Sequence, residues 1–345
     1  MEFVCYSEWE QLPAGANTLF KKGEQDSMFF TRPWFENLVN TALKDEQVMV
    51  LACVIESDEV LAILPLMKCT NEHWCSLKHR YSSLYSLLLK EKNRQGTLAC
   101  LAQGLSQLPF QFLDLEPFDE KNSNINDLQT MMESYGFKCH RSYRFYNWIH
   151  RVQGQSFAEY MAARPSKVRN TIARKHRKLA REHNYNIRLF KGADVHDAMA
   201  DYNAIYRVSW KANELFRDVL EGVAVSFSHQ NWTRLAILYI EGQPAAAQLW
   251  FVVHDKASIF RLAYDEAWKQ YSPGSILTKY LMEYVIDTDK VEEIDFLTGN
   301  DAYKRDWMSE RRERWGMVCK KNHLPEKSYH QFFKLLMNRL KRLKG

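Results

Sequence analysis

Apolar and polar positions follow one another along this chain in two passes of similar order. In the first pass, VMVLACVI (48–55) and VLAILPLM (60–67) are separated by Glu56-Ser57-Asp58-Glu59. Two continuous apolar runs around a short polar turn predict a buried β-hairpin. Ahead of it, residues 1–26 show no periodicity and are expected to be irregular, while Phe35, Leu38 and Val39 behind Pro33 fall at helical spacing. After it, a helix is expected from about Gln95-Gly96, a strand over PFQFLDLEPF (109–118), a helix over LQTMMESYG closed by Gly136, and a strand over FYNWIHRV (145–152).

The second pass opens with a helix after Pro165 whose stripe is Val168, Ile172 and Leu179. A short strand (186–192), a helix (195–213) and three strands (232–265) follow, the strands joined at Glu241-Gly242-Gln243 and His254-Asp255-Lys256. Next, Ser272-Pro273-Gly274 forms a turn opening a helix over 275–286, and a strand over 291–297 leads to Gly299. Both halves thus read as hairpin, helix and strand, which implies a duplicated α/β unit. The expected domains are 1–150 and 151–345.

Length supports this plan, since 345 residues with 46% apolar content suffice for two packed cores. The charge of +5 suits an anionic ligand without choosing among nucleotide, nucleic acid and membrane. No apolar run reaches the roughly 18 residues of a spanning helix, and the start, MEFVCYSEWEQL, has no secretory pattern. A cytoplasmic location is expected. Seven scattered cysteines and eleven histidines without HExxH predict buried or incidental thiols, no disulfide framework and no metal site.

Candidate chemistry concentrates at the turn. A glycine opening a helix leaves backbone N–H groups for an anion, and phosphate is the natural candidate. Nearby in sequence, residues 164–181 hold eight cations and no acid. Lys167, Arg174, Lys178 and Arg181 form a stripe opposite Val168 and Ile172, suited to a CoA phosphate, a lipid-phosphate sugar, tRNA or a membrane surface. The last helix, SYHQFFKLLMNRLKRLK, is basic and amphipathic and is expected to dock on the second domain, with weak inner-membrane contact as its other reading.

The basic helix PSKVRNTIARKHRKLARE, the hairpin EGQPAAAQLWFVV, the turn-helix YSPGSILTKYLMEYVI and above all IDFLTGNDAYKRDW together resemble the BioF2-like acetyltransferases of the GNAT superfamily. These tandem-GNAT proteins are related to the FemABX aminoacyltransferases and include CelD/BcsL-like polysaccharide proteins. The resemblance covers about 156–317; the first half matches in plan only. It implies two GNAT-like units, each a mixed β-sheet flanked by helices, and an acyl-CoA-dependent N- or O-acyltransferase acting on an amino sugar or other envelope precursor. Acetyl-CoA is the implied co-substrate, with no metal. The pyrophosphate loop is usually [QR]-x-x-G-x-[GA]; here Gln270 is kept and the glycine of Gln270-Tyr271-Ser272-Pro273-Gly274-Ser275 is displaced by one.

On this reading Gln270, Ser272, Gly274, Ser275 and Ile276 bind the cofactor, the amides of 274–276 facing the pyrophosphate. The 245–252 run AAAQLWFV is expected to be the splayed strand that polarises the carbonyl, with Ala245, Ala246 and Ala247 leaving room for a pantetheine arm or for close helix packing. Asp295 is expected as base or acceptor-orienting group, Tyr303 as proton donor to the thiolate and Lys304 as phosphate or carboxylate partner. Arg174, Lys178 and Glu214 are expected substrate or phosphate contacts. The alternatives are a FemABX-like transferase using aminoacyl-tRNA and a non-catalytic anion-binding module. Nucleic acid is the less expected partner, because the aromatic residues do not interleave with the cations.

Overall fold

A computed structural model describes residues 1–209 and 216–322. In chain order the strands are β1 Glu2–Tyr6, β2 Val48–Glu56, β3 Glu59–Lys68, β4 His73–Ser76, β5 Leu88–Leu89, β6 Phe112–Asp119, β7 Phe137–Arg151, β8 Tyr185–Phe190, β9 Thr233–Ile240, β10 Gln243–Val253, β11 Lys256–Tyr264, β12 Glu293–Thr298 and β13 Glu310–Lys321. The helices are α1 Ala16–Asp26, α2 Arg32–Thr41, α3 Arg94–Gln107, α4 Ser123–Ser134, α5 Phe157–Ala162, α6 Ser166–Glu182, α7 Asp194–Val208, α8 Arg217–Ser228, α9 Pro273–Glu283 and α10 Ala302–Trp307. Residues 1–26 are therefore not irregular: EFVCY pairs with β2, and α1 follows.

Contacts group residues 1–20, 43–144 and, of those described, 314–322 into one unit, and 21–42 with 145–313 into a second. Three of the four unit boundaries fall inside α1, β7 and β13 and the fourth just after α2, where the sequence reading placed a single cut at 150.

In the first unit the sheet order is β1-β2-β3-β4-β6-β13. The expected hairpin is β2 and β3, paired antiparallel from Val48↔Lys68 to Glu56↔Glu59. Its apolar residues pack with Leu101 and Leu105 of α3 and Leu128 and Met132 of α4. Gly104 lets α3 approach β1, because a Cβ there would lie 2.0 Å from Phe3 Cγ. Strand pairing also joins Cys69 to Cys75 and Cys139 to Cys319, so four of the seven thiols are not incidental.

The second unit has the order β7-β12-β11-β10-β9-β8. Ile172 and Leu179 of α6, two members of the predicted stripe, pack with Ile276, Leu277 and Leu281 of α9 and with Leu238, Trp250, Ile294 and Phe296 of the sheet. Pro165, at the N-cap of α6, separates it from α5. Gly222 of α8 admits α2: a Cβ there would meet Asn37 Oδ1 at 2.0 Å, and Asn37 Nδ2 donates to Val219 O at 2.9 Å.

The two units share a plan. In each, a parallel pairing lasts three residues and ends on an aspartate: His73–Cys75 with Phe112–Asp114, and Lys256–Ser258 with Glu293–Asp295. In each, the following helix starts from a residue in the left-handed region, Asn93 (φ 47°) for α3 and Ser272 (φ 53°) for α9. Among the described residues no helix is long and apolar enough to cross a membrane.

Candidate active site

Where the β11–β12 pairing stops, β11 continues for six residues, to Tyr264. The parting of the strands is built into β12. Its register against β7 shifts between Asp295 and Thr298, and Leu297 takes φ 53°, an uncommon conformation for a side chain branched at Cγ. Asp295 holds this bulge: Oδ1 accepts from Leu297 N at 2.6 Å and from Asn147 Nδ2, and Oδ2 accepts from Arg312 Nη2 at 2.8 Å. Asn147 Nδ2 also donates to Leu297 O at 3.0 Å, and Arg312 continues to Glu293 Oε1 at 3.0 Å. As expected from the alternation, Ile294 and Phe296 join the core on the other face. Both Asp295 oxygens are thus occupied, one by a guanidinium, so the carboxylate shapes the strand.

Beyond the bulge, Lys304 of α10 is buried, 4% exposed, and its Nζ donates to Phe296 O at 2.9 Å and Thr298 O at 2.6 Å. Burial lowers its pKa, opposed by the charges of Asp301 and Asp295. The expected phosphate or carboxylate partner is instead a cation clasped to main-chain carbonyls at the end of β12. Gly299 makes room for it: φ is 119°, and a Cβ would lie 3.2 Å from Lys304 Nζ. Tyr303 is half-exposed with its ring 6.0 Å from that of Phe296; desolvation and then the Asp301 charge push its phenol up to about 12.

The turn before α9 faces the same strands. A Cβ on Gly274 would touch Leu262 Cδ1 at 3.4 Å and Tyr264 Cδ1 at 3.5 Å, both on β11. Ser275 N and Ile276 N donate to Ser272 O at 3.0 and 3.2 Å, so the expectation that all three amides of 274–276 face a ligand is corrected: two close the first turn of the helix. Lysines of α6 converge on the residue that precedes the turn. Lys175 Nζ donates to Gln270 O, Lys178 Nζ donates to Gln270 Oε1 at 3.4 Å, and Lys178 lies 5.0 Å over the Tyr271 ring. Gln270 and Lys178 are therefore brought together; Arg174 is exposed, and Glu214 lies outside the described residues.

Sequence reasoning passed over Gln248. It is fully buried on β10, where its Nε2 donates to Gly274 O and Thr278 Oγ1, each at 2.8 Å, and its Oε1 accepts from Trp250 Nε1 at 2.8 Å. One amide thereby fixes the first turn of α9 to the sheet. The available signal was a lone glutamine in AAAQLWFVV. The same strand supplies a correction: β10 is paired on both edges, with β9 and β11, so the 245–252 run is not splayed. Ala245, Ala246 and Ala247 are wholly buried and the first two belong to the core, the close-packing reading of these alanines.

In the first unit the corresponding turn is closed differently. Met1 packs on it, with Thr97 Oγ1 and Asn93 Nδ2 directed at its Sδ at 3.7 and 3.9 Å. Asp114 and Glu116 are buried with Lys78 and Arg144, both of which bind Glu116.

Residues 166–305 match the family model described as an acetyltransferase (GNAT) domain. No curated protein matches the chain. Among solved structures, FemX is similar at TM-score 0.65 and 11% identity, over 96% of this chain and 99% of that one. A tandem GNAT protein from the clavulanic acid biosynthesis pathway is similar at TM-score 0.54 and 10% identity, over 94% and 99%. The C-terminal domain of a putative lysylphosphatidylglycerol synthetase from Agrobacterium fabrum gives TM-score 0.55 and 11% identity, over 88% and 92%. At these identities the likeness is one of fold.

Proposed function

We propose, on the premise that this chain is a GNAT-type acyltransferase with a tandem GNAT-like fold related to that of FemX, that it transfers an acyl group from acyl-CoA to an amine or hydroxyl of an amino sugar or other envelope precursor. The observation that carries this reading is the convergence of the Ser272-Pro273-Gly274 turn and two lysines beside strands that part at the Asp295–Leu297 bulge. A pyrophosphate carrier fits that donor set: Lys175 and Lys178 supply charge, Ser272 and Ser275 hydroxyls, and the Gly274 amide one N–H at a helix start. The acyl-bearing arm would lie along the open edge of β11. When bound, the acyl-CoA would supply the activated thioester, and free CoA would leave as the thiol.

The chain's own groups then divide the work. Asp295, Asn147 and Arg312 keep the strands apart and so hold the arm in one register. Lys304 fixes the last carbonyls of β12 and places a positive charge there, which stabilises negative charge developing on the carbonyl oxygen. Tyr303, protonated at neutral pH, would donate to the departing sulfur, and the proton that the attacking amine or hydroxyl gives up would restore its phenol.

Calorimetric titration with CoA, acetyl-CoA and tRNA tests the donor. CoA binding in the micromolar range, weakened about 10-fold or more in Lys175→Ala/Lys178→Ala, supports the proposal. Tight tRNA binding without CoA binding would transfer the same site to aminoacyl-tRNA, and absence of both would sink it.

A further inference from the structure

The lysines at the turn account for only part of α6. Taking about 100° per residue, Lys167, Arg174, Arg177 and Arg181 fall within about a quarter of the circumference, along about 21 Å of axis. All four are exposed, as is Asn170 among them. Among the described residues Lys167 and Arg174 have no acidic partner; Arg177 Nε donates to Ala173 O at 3.3 Å, and Arg181 pairs with Glu182 at 2.5 Å. One acid therefore faces four cations. The opposite face of the helix, Ile172 and Leu179, is committed to the core.

We propose that this outer face of α6 docks the protein on an anionic lipid surface. The chemistry favours a bilayer over a nucleic acid in two ways. The stripe carries no aromatic ring on which a base would stack, and Asn170 is its only amide. It is also a straight, convex row and not a basic groove, so it presents its charges together to a flat plane of headgroups. Because the apolar face is buried, the contact is electrostatic and superficial; the helix does not insert as a free amphipathic helix does. Each cation near an anionic leaflet contributes about 5-fold in affinity, and the attraction fades within a Debye length of about 8 Å at physiological salt. This docking is independent of the acyl donor. The basic C-terminal segment, for which weak inner-membrane contact was one expectation, lies outside the described residues.

Flotation of the full chain with vesicles of phosphatidylglycerol and phosphatidylcholine, against pure phosphatidylcholine, tests it without any donor present. Binding to the anionic vesicles alone, abolished by high salt, is the expected result. The triple Gln variant of Lys167, Arg174 and Arg177 should lose binding by on the order of 100-fold, and Lys167→Glu/Arg174→Glu/Arg177→Glu by more. Circular dichroism checks that both variants are folded. Equal binding of wild type to both vesicles, equal binding by the Glu variant, or salt-sensitive tRNA binding with no vesicle binding would each overturn the proposal.

Discussion

Replacing Gln248 with Leu removes one side chain of nearly constant volume and three hydrogen bonds, and the cost can be apportioned. Gly274 O keeps a partner, since Thr278 Oγ1 also donates to it at 3.0 Å. The group left without its partner is Trp250 Nε1, on a residue with no exposure. An orphaned buried donor costs about 1–3 kcal/mol, and the other two lost bonds about 1 kcal/mol each, offset in part by the apolar gain of Leu. The net expectation is a loss of about 2–3 kcal/mol in urea unfolding. A double-mutant cycle isolates the orphan: Trp250→Phe should cost about 1–2 kcal/mol less in the Gln248→Leu background than in wild type, because its cavity term is common to both and no satisfied donor is lost in the former. Donor affinity, read by calorimetry, should fall with Gln248→Leu and stay low in the double variant, since the first turn of α9 remains untied. A stability loss under about 0.5 kcal/mol, or an equal cost of Trp250→Phe in both backgrounds, would refute the argument that this amide sets the turn.

Further outcomes follow from the same geometry. Lys304→Met should lower kcat by on the order of 100-fold with little change in KM, measured in steady state, because it removes a charge at the end of β12 and leaves the donor turn intact. Gly299→Ala should destabilise by more than about 1 kcal/mol in thermal melts, from its positive φ and the nearby Lys304 Nζ. His150, buried against Tyr160, has its pKa lowered to about 4 by burial and then by Arg164. With the folded value below the unfolded one, its contribution is present above about pH 6.5 and is lost as pH falls toward 4, a term of about 3 kcal/mol. That slope should be absent in His150→Gln, with melting temperature followed over the same range. Thiol titration of the denatured, unreduced chain should count three free cysteines, Cys5, Cys53 and Cys100, and burial, which raises Cys53 to about 12, should make it slower to alkylate in the native state than the exposed Cys5.

What the sequence could and could not disclose follows the range of the interactions. The hairpin of 48–68, the stripe of α6 and the strands of 232–265 are local patterns, and each appears where periodicity placed it. Elements whose existence depends on distant partners were harder to read. EFVCY is too short to announce β1 without β2 beside it, and β13, ERRERWGMVCKK, begins so charged that only its pairing with β6 marks it as a strand. The site divides along the same line. Gln270 and Lys178 were named separately, and their meeting required α6 to cross back onto the turn, 92 positions away in sequence.

Asp295 shows the limit from the other side. Its place on β12, facing away from Ile294 and Phe296, was legible from alternation alone. Its role was not, because a carboxylate's chemistry is decided by what occupies its oxygens. Here those groups are Asn147, 148 positions earlier, and Arg312, 17 positions later. An aspartate so held is well suited to enforce Leu297 at positive φ, the distorted residue that lies where β12 leaves its pairing with β11. The opening that an acyl donor needs is therefore an outcome of side-chain pairing across three segments. Asp295→Asn would retain its bond to Leu297 N while weakening the grip of Arg312, and should lower donor affinity less than Asn147→Ala, which frees Leu297 O as well. Calorimetry on the two variants orders them, and the reverse order would place the control of the opening with Arg312 instead of with the bulge.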